Sequence, residues 1–360
     1  MKFKQYSLAE LATIKYGKNQ KKVLSANGTF PIYGTGGLMG YATEPLYDKP
    51  SVLIGRKGTI DKVKYVDCPF WTVDTLFYTI INTEIVLPKY LYYVMSQINL
   101  NIYNEGTTIP SLRTETLNRL IFSIPSIEDQ KKILSCVLPF DRKIELNNAI
   151  NKNLEQQAQA IFKAWFIDFE PFSNRKPSDW SVSTLGNVSI MGAGGDKPQN
   201  VSPRKTDLYE YPIYSNGLSN EGLYGFTDNP KVSEESVTVS ARGTIGFVCL
   251  RHIPYVPIVR LVTLIPKTEI ISAKYLYLWL KQLHITGTGT TQQQLTVPDF
   301  QKTEILVPSK EIVTLFTATV EPIFEKIWAN QNENEKLSSL RDTLLPKLLS
   351  GELDVSDIDL

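Results

Sequence analysis

The chain has 360 residues, of which 42% are apolar and 21% charged, and its formal net charge is +1. That length holds about two domains with sizeable cores, and the composition excludes a disordered or fibrous chain. No run approaches the ~18 uninterrupted apolar residues of a membrane span. The opening MKFKQYSLAE lacks the apolar stretch of a secretory signal, and Cys68, Cys136 and Cys249 lie too far apart for a metal-binding spacing. The expectation is a cytoplasmic protein with reduced thiols.

In chain order, Ser7 to Ala12 predicts a short helix, with Ser7 as cap and Glu10 completing a capping box. Phe30–Tyr33 and Ser51–Ile54 are β-type runs bounded by Gly, Pro and Asp, and Gly34–Gly40 between them reads as a glycine-rich turn. Thr75–Ile81 and Leu120–Pro125 are further strands, and Lys89–Met95 is a helix entered past Pro88.

Ser126 to Phe169 then carries a heptad seam: Ile133, Val137, Phe140, Ile144, Asn147, Asn151, Leu154, Ala158, Ile161 and Trp165 recur in steps of three and four. At ~1.5 Å per residue such a helix would reach roughly 65 Å. Pro139 predicts a kink in it, or a junction of a short helix with a long one.

After a Pro- and Ser-bearing linker the programme restarts. Tyr211-Pro212-Ile213-Tyr214 matches Phe30-Pro31-Ile32-Tyr33, and Ala241-Arg242-Gly243-Thr244-Ile245 matches Arg56-Lys57-Gly58-Thr59-Ile60. Lys274-Tyr275-Leu276-Tyr277 matches Lys89-Tyr90-Leu91-Tyr92, and Gly289-Thr290-Thr291 matches Gly106-Thr107-Thr108. A second seam follows: Phe316, Val320, Ile323, Ile327, Asn330, Asn334, Leu337, Arg341, Leu344 and Leu348.

Pro139 and Pro322, Asn147 and Asn330, and Asn151 and Asn334 are each 183 residues apart, whereas the shift drifts from 181 to 185 in the globular parts. Insertions therefore fall in loops and not in the helices, which suits a recognition device on a fixed frame. The expected pairing sets Val137, Ile144, Asn147, Asn151 and Leu154 against Val320, Ile327, Asn330, Asn334 and Leu337 in antiparallel helices. The asparagines would fix register; on a rotated helix Asn147 and Asn330 would instead face solvent.

The predicted fold class is α+β: two recognition domains of mixed sheet and helix, two long antiparallel helices forming a coiled coil, and a pseudo-two-fold internal repeat. The expected divisions are 1–125 and 180–308 for the domains, 126–170 and 309–350 for the helices, 171–179 for the linker and 351–360 for an acidic tail.

No constellation of catalytic residues stands out. His252 and His284 have no counterparts in the first repeat, and Gly34-Thr35-Gly36-Gly37 and Gly192-Ala193-Gly194-Gly195-Asp196-Lys197 lack the spacing of a phosphate-binding loop. The hydrolase elbow and zinc signatures are missing. Residues 15–64 hold nine basic against three acidic side chains, and 321–360 hold nine acidic against four basic. Basic side chains beside Gly-Thr turns are the groups that reach phosphates and base edges. The candidate nucleic-acid contacts are Lys18, Lys21, Lys22, Arg56, Lys57, Lys62, Arg113, Lys197, Arg204, Lys205, Arg242, Gln292, Gln293 and Gln294, since glutamine can pair with adenine through two bonds.

The chain resembles the specificity subunit of a type I restriction–modification system over essentially its full length. The resemblance rests on Gly106-Thr107-Thr108-Ile109-Pro110-Ser111-Leu112, on Ile124-Pro125-Ser126-Ile127-Glu128-Asp129-Gln130, on Ala160-Ile161-Phe162-Lys163-Ala164-Trp165-Phe166, and on the ending from Leu340 to Leu353. It implies a non-catalytic DNA reader in which each target recognition domain reads half of a split target and the helices set the spacer. It also implies two modification subunits binding S-adenosylmethionine and restriction subunits using ATP and magnesium, with no cofactor on this chain. Gln292-Gln293-Gln294 departs from the family phrase kept at Ile109-Pro110-Ser111. Two rival expectations are a two-headed helical scaffold without DNA specificity, and a repeat-built hydrolase or transferase active on its own.

Overall fold

The computed structural model describes residues 1–287 and 294–358. The chain divides into two compact units, Met1–Asn147 together with Asn332–Leu360, and Asn148–Gln331. The divisions fall inside the two long helices, so each unit combines a globular portion with half of each helix.

The first globular portion runs β1 (Phe3–Ser7), α1 (Leu8–Leu11), β2 (Ala12–Tyr16), β3 (Phe30–Gly34), β4 (Gly37–Ala42), β5 (Ser51–Gly55), β6 (Val63–Val66), β7 (Trp71–Thr72) and β8 (Leu76–Ile81). It closes with α2 (Pro88–Ser96), α3 (Thr114–Asn118) and β9 (Ile121–Pro125), and the long α4 (Ile127–Phe166) follows. The second runs β10 (Ser181–Thr184), α5 (Leu185–Val188), β11 (Ser189–Ala193), β12 (Tyr211–Tyr214), β13 (Leu223–Thr227), β14 (Ser236–Val239), β15 (Val248–Arg251), β16 (Val256–Pro257) and β17 (Val262–Pro266). It ends with α6 (Ala273–Gln282), α7 (Val297–Phe300), β18 (Glu304–Val307) and the long α8 (Lys310–Ser350).

The two units share one topology. In the first, β1 pairs with β9, a four-stranded sheet is ordered β2-β8-β5-β6, and a three-stranded sheet is ordered β4-β3-β7. In the second, the matching sheets are β10-β18, β11-β17-β14-β15 and β13-β12-β16. In each three-stranded sheet the hairpin is antiparallel, and the short third strand joins parallel to its first strand.

Sequence explains the central strands. All five residues of β5 are buried, as its run Ser-Val-Leu-Ile-Gly requires for a strand covered on both faces. Its backbone pairing to β8 covers only Ile54 with Phe77 and Gly55 with Leu76. Beyond that point side chains take over: the Thr79 amide donates to the Ser51 hydroxyl at 2.9 Å, and the Val52 amide donates to the Thr79 hydroxyl at 2.9 Å. The capping box at Ser7 forms as the sequence predicts, with the Ser7 amide donating to Glu10 Oε2 at 2.7 Å. The Gly34–Gly40 stretch is shorter as a turn than its composition suggests, because β4 already begins at Gly37. Positive φ at Gly37 (115°) and Gly40 (153°) lets the chain re-enter the ladder there.

Helix α4 starts from Ser126, whose hydroxyl accepts the Asp129 amide at 3.2 Å. Gln130, fully buried, accepts the Leu87 amide at 2.8 Å and donates to the Ile85 carbonyl at 2.8 Å. The phrase around Pro125 to Gln130 is thus a joint that fixes the helix to the start of α2. Both long helices are continuous, α4 over 40 residues and α8 over 41, so Pro139 and Pro322 neither break them nor mark a junction. Both prolines are exposed, as are Ser135 and Ala318 four residues earlier, so the carbonyls left without a helical partner can turn to water.

None of the seam positions is exposed in its unit. In the first unit, Ile133 and Val137 share a core with Leu8, Val52, Phe77 and Tyr90 and with Leu345 and Leu348 of α8. In the second, Phe162, Phe166, Tyr275 and Phe316 form an aromatic cluster, with Phe166 edge-on to Tyr275 and to Phe316 at 4.9 Å. Asn147 and Asn330 are each 1% exposed, which excludes the solvent-facing alternative. Asn147 Nδ2 donates to Asn334 Oδ1 at 2.9 Å and to Glu333 Oε2 at 2.8 Å. Asn330 Nδ2 donates to Asn151 Oδ1 at 2.7 Å. Each unit therefore holds its helix halves antiparallel, with one buried amide pair.

Arg341, the charged member of the second seam, is not a defect. Its Nη1 donates to Asp141 Oδ1 at 2.7 Å, Tyr93 donates to Asp141 Oδ2 at 2.5 Å, and Lys89 lies 3.4 Å away. Burial opposes charge on Asp141, but the hydrogen bonds from Tyr93 and Arg341 and the Lys89 charge together hold its carboxyl below the usual range. A carboxyl lowered on folding stabilises the native state above its unfolded value near ~4, and that contribution is lost as pH falls through the folded value. Replacing Asp141 by Asn leaves Arg341 and Lys89 without their shared anion. The expected cost is about 1–3 kcal/mol at pH 7 in chemical denaturation, shrinking towards zero in acid.

Candidate DNA interface

In the first unit the turn after β5 docks onto the loop before α3. The Gly58 amide donates to the Pro110 carbonyl at 2.9 Å, the Leu112 amide to the Arg56 carbonyl at 2.9 Å, and Lys57 bridges to Ser111. That loop is shaped by Asn104, whose Oδ1 accepts the amides of Gly106 and Ser111, each at 2.9 Å. A Cβ on Gly106 would lie 1.9 Å from the Ile109 carbonyl oxygen, so this position of the Gly-Thr-Thr phrase admits only glycine. Gly58 has φ 90°, a left-handed value that lets the turn reverse.

The same joint recurs in the second unit. The Leu295 amide donates to the Ala241 carbonyl at 3.0 Å, and Arg242 Nη2 and Nε donate to Gln294 Oε1 at 3.0 and 3.3 Å. Leu295 corresponds to Leu112, and Gln294 to Ser111.

Each hairpin of the three-stranded sheets sits beside this turn. A Cβ on Gly58 would lie 3.7 Å from the Thr35 hydroxyl, at the tip of the β3–β4 hairpin. In the other unit, Asn216 of the β12–β13 loop accepts the Ala241 amide at 2.7 Å and donates to the Val259 carbonyl at 2.6 Å. The loop is further held by Arg251, 3% exposed, which donates to Glu221 Oε2 at 3.0 Å and lies 3.6 Å from the centre of the Tyr214 ring.

Basic side chains gather around this turn and hairpin. Arg56, half-buried, lies 5.5 Å from the centre of the Tyr16 ring, and Lys57 is exposed. Lys18, Lys21 and Lys22 are exposed on the segment between β2 and β3, whose Leu24 bridges to Ala42 of β4. Lys197, Arg204 and Lys205 are exposed on the equivalent segment, where the Ser202 and Phe226 amides and carbonyls bond reciprocally at 2.9 and 2.8 Å. Lys197 lies 5.9 Å from the centre of the Tyr224 ring. Arg113 pairs with Glu105 at 3.1 Å, which neutralises part of its charge, and Lys62 stands exposed two residues past the turn. Gln294 is engaged with Arg242; Gln292 and Gln293, and the phrase Gly289-Thr290-Thr291, lie outside the described residues.

Two features escape a reading by spacing. Lys64 Nζ lies 4.1 Å from the centre of the Tyr33 ring, and burial pulls its ammonium below the usual value. His252 stacks on Trp328 at 4.1 Å, and burial, with the Lys274 and Arg251 charges, pushes it down to about 4. It is therefore neutral at pH 7 and serves packing. Among the described residues no group of three or more His, Cys, Asp or Glu could hold a metal, and no helix is long and apolar enough to cross a membrane.

Two like units, each carrying a basic turn-and-hairpin surface, define a duplicated recognition domain on a helical frame. Residues 1–156 and 177–338 both match the type I restriction modification DNA specificity domain, and the chain belongs to that family. It is 29% identical to the type I restriction enzyme HindI specificity subunit of Haemophilus influenzae, over 80% of this chain and 82% of that protein. It is 27% identical to the MjaIX specificity subunit of Methanocaldococcus jannaschii, over 87% and 80%. The crystal structure of a type I restriction–modification S subunit from M. genitalium shares the fold, with a TM-score of 0.56 at 18% identity over 97% of this chain and 96% of that one. The protein is a DNA specificity subunit of a type I restriction–modification system, a non-catalytic component.

Lys57→Ala and Arg242→Ala should each weaken binding of the assembled complex to its DNA about 3- to 10-fold at moderate salt, and lower the slope of log affinity against log salt by about one. Arg56→Ala should weaken it in the same direction. Fluorescence anisotropy across a salt series checks this, and unaltered affinity would remove the residue from the interface.

Proposed function

We propose that each unit reads one half of a bipartite double-stranded DNA target through its turn-and-hairpin surface, while the two long helices set the spacer and dock the modification subunits. The observation that carries this reading is the repetition of one backbone arrangement with different side chains. The joint between the turn and the following loop is the same in both units, but it presents Arg56, Lys57 and Ser111 in one and Arg242 and Gln294 in the other, where the buried Ala241 replaces Arg56. A conserved backbone positions the chain on phosphates, and the differing side chains meet different bases.

In this reading two methyltransferase subunits with S-adenosylmethionine act on adenines, and restriction subunits with ATP and magnesium complete the nuclease in the cytoplasm. Their chemistry lies on those partners. The scaffold alternative predicts an affinity for DNA that does not fall with salt, whereas phosphate contacts make it fall steeply.

Replacing residues 180–308 by the counterpart from a relative should change one half of the methylated motif and leave the other intact; mapping methylated adenines in cells carrying the chimera checks this, and a change in both halves refutes it. A four-residue insertion after Asn148 should lengthen the spacer without altering either half-site. An unchanged spacer would end the ruler role.

A further inference from the structure

Both hairpins carry a β-bulge at the same place. The register shifts between Ile32 and Tyr33 in the β3–β4 pair and between Ile213 and Tyr214 in the β12–β13 pair. Counted from the bulge, Gly40 opposes Ile32 as Gly225 opposes Ile213, so Met39 and Tyr224 occupy the same position. A bulge re-aims the side chain beside it. Here it turns a large side chain outward in both units: Met39 is 57% exposed and Tyr224 50%.

The backbone around these side chains is tightly held. A Cβ on Gly40 would lie 2.9 Å from Leu24 Cδ1, and a Cβ on Gly225 would lie 2.8 Å from the Ser202 carbonyl oxygen. The residue after each exposed side chain is therefore favoured as glycine, Gly40 by its φ of 153° and Gly225 by the Ser202 carbonyl of the segment that carries Lys197 to Lys205. Neither Met39 nor Tyr224 belongs to a core cluster; the Met39 thioether lies over Gly34, where a Cβ would come within 2.4 Å of its sulfur, and about half of each side chain stays open to solvent.

We propose that Met39 and Tyr224 are specificity-determining residues that reach base edges in the DNA groove, one in each half-site. The inference rests on the DNA-reading function and names where on the surface bases are told apart. An exposed methionine on a soluble surface gains little in water, but beside lysines held on phosphates it meets the apolar part of a base, such as a thymine methyl. Tyrosine at the equivalent position offers a ring face and a hydroxyl, so the two units would prefer different bases from one backbone geometry. Charge is placed to match: Lys197 lies beside Tyr224, and Arg56 and Lys57 lie at the turn adjoining the β3–β4 hairpin.

The test uses the full chain in complex with its methyltransferase subunit and the target found by mapping methylated adenines. Binding is measured to a panel of duplexes in which each base pair of both half-sites is replaced singly. In the parent, replacement at a contacted pair should cost about 10- to 100-fold. Met39→Ala should reduce that penalty to within about 3-fold at one or two neighbouring pairs of a single half-site, and Tyr224→Ala should do the same in the other half. Met39→Leu should retain most of the Met39 penalty.

If both alanine variants give profiles superimposable on the parent while Lys57→Ala and Arg242→Ala still weaken binding, the inference is overturned and the DNA-reading function stands. If none of the four variants changes binding, that function is itself refuted at this surface, and the inference falls with it. Because both side chains are exposed, thermal melts of the alanine variants should match the parent.

Discussion

A buried amide pair is the constraint on which the rest of each unit depends. Asn147 with Asn334, and Asn330 with Asn151, are polar groups inside an otherwise apolar helix seam. An unpaired buried amide costs about 1–3 kcal/mol, so these residues are tolerable only in the register that pairs them. The same register places Ile133 and Val137 with Leu345 and Leu348 in one core, and Phe162 and Phe166 with Phe316 in the other. A slip along the seam would orphan the amides and pull those side chains out of their domains together. The helices are therefore fixed at both the polar and the apolar level, and each globular portion inherits its position on the helix from that fit.

Much of this was legible because helical periodicity is a local signal. The seam positions and the capping box at Ser7 follow from residue type and spacing, whereas the burial of Asn147 and Asn330 was one of two readings that the fold decides. The effect of Pro139 and Pro322 did not follow from spacing, since the cost of a helical proline depends on the surroundings of the residue four earlier, and here Ser135 and Ala318 are exposed. The role of Arg341 in the seam was not legible, because its partners, Asp141 and through it Tyr93 and Lys89, come from distant parts of the chain. The Gly34–Gly40 stretch read as a turn because glycine usually marks one. Its second half is a strand because Gly37 and Gly40 supply the positive φ of a bulged ladder.

The basic character of the candidate surface was legible in the sequence, and its arrangement was not. Basic residues beside Gly-Thr turns pointed to phosphate contacts, but nothing in the spacing brings the segment carrying Lys18 to Lys22 against β4 through Leu24 and Ser25, or Asn216 onto Ala241. Those neighbours are made by parallel addition of β7 and β16 and by backbone bonds between loops. Exposed aromatic and aliphatic residues gave no periodic signal at all. Gln294 illustrates the limit from the other side: its amide looked free to meet a base, and in the fold its oxygen accepts two bonds from Arg242.

The duplicated unit separates what must be constant from what can vary. Gly106 and Gly225 are fixed by a close carbonyl, Gly58 and Gly40 by a positive φ, and the seam asparagines by each other. Around these points lie exposed side chains outside the core clusters: Lys57, Met39, Tyr224 and the lysines and arginines of the basic segments. A change among them alters what the surface touches without disturbing what holds it. That is a physical reason for two copies of one fold in a single chain to diverge at their loops while their helices keep a constant 183-residue offset.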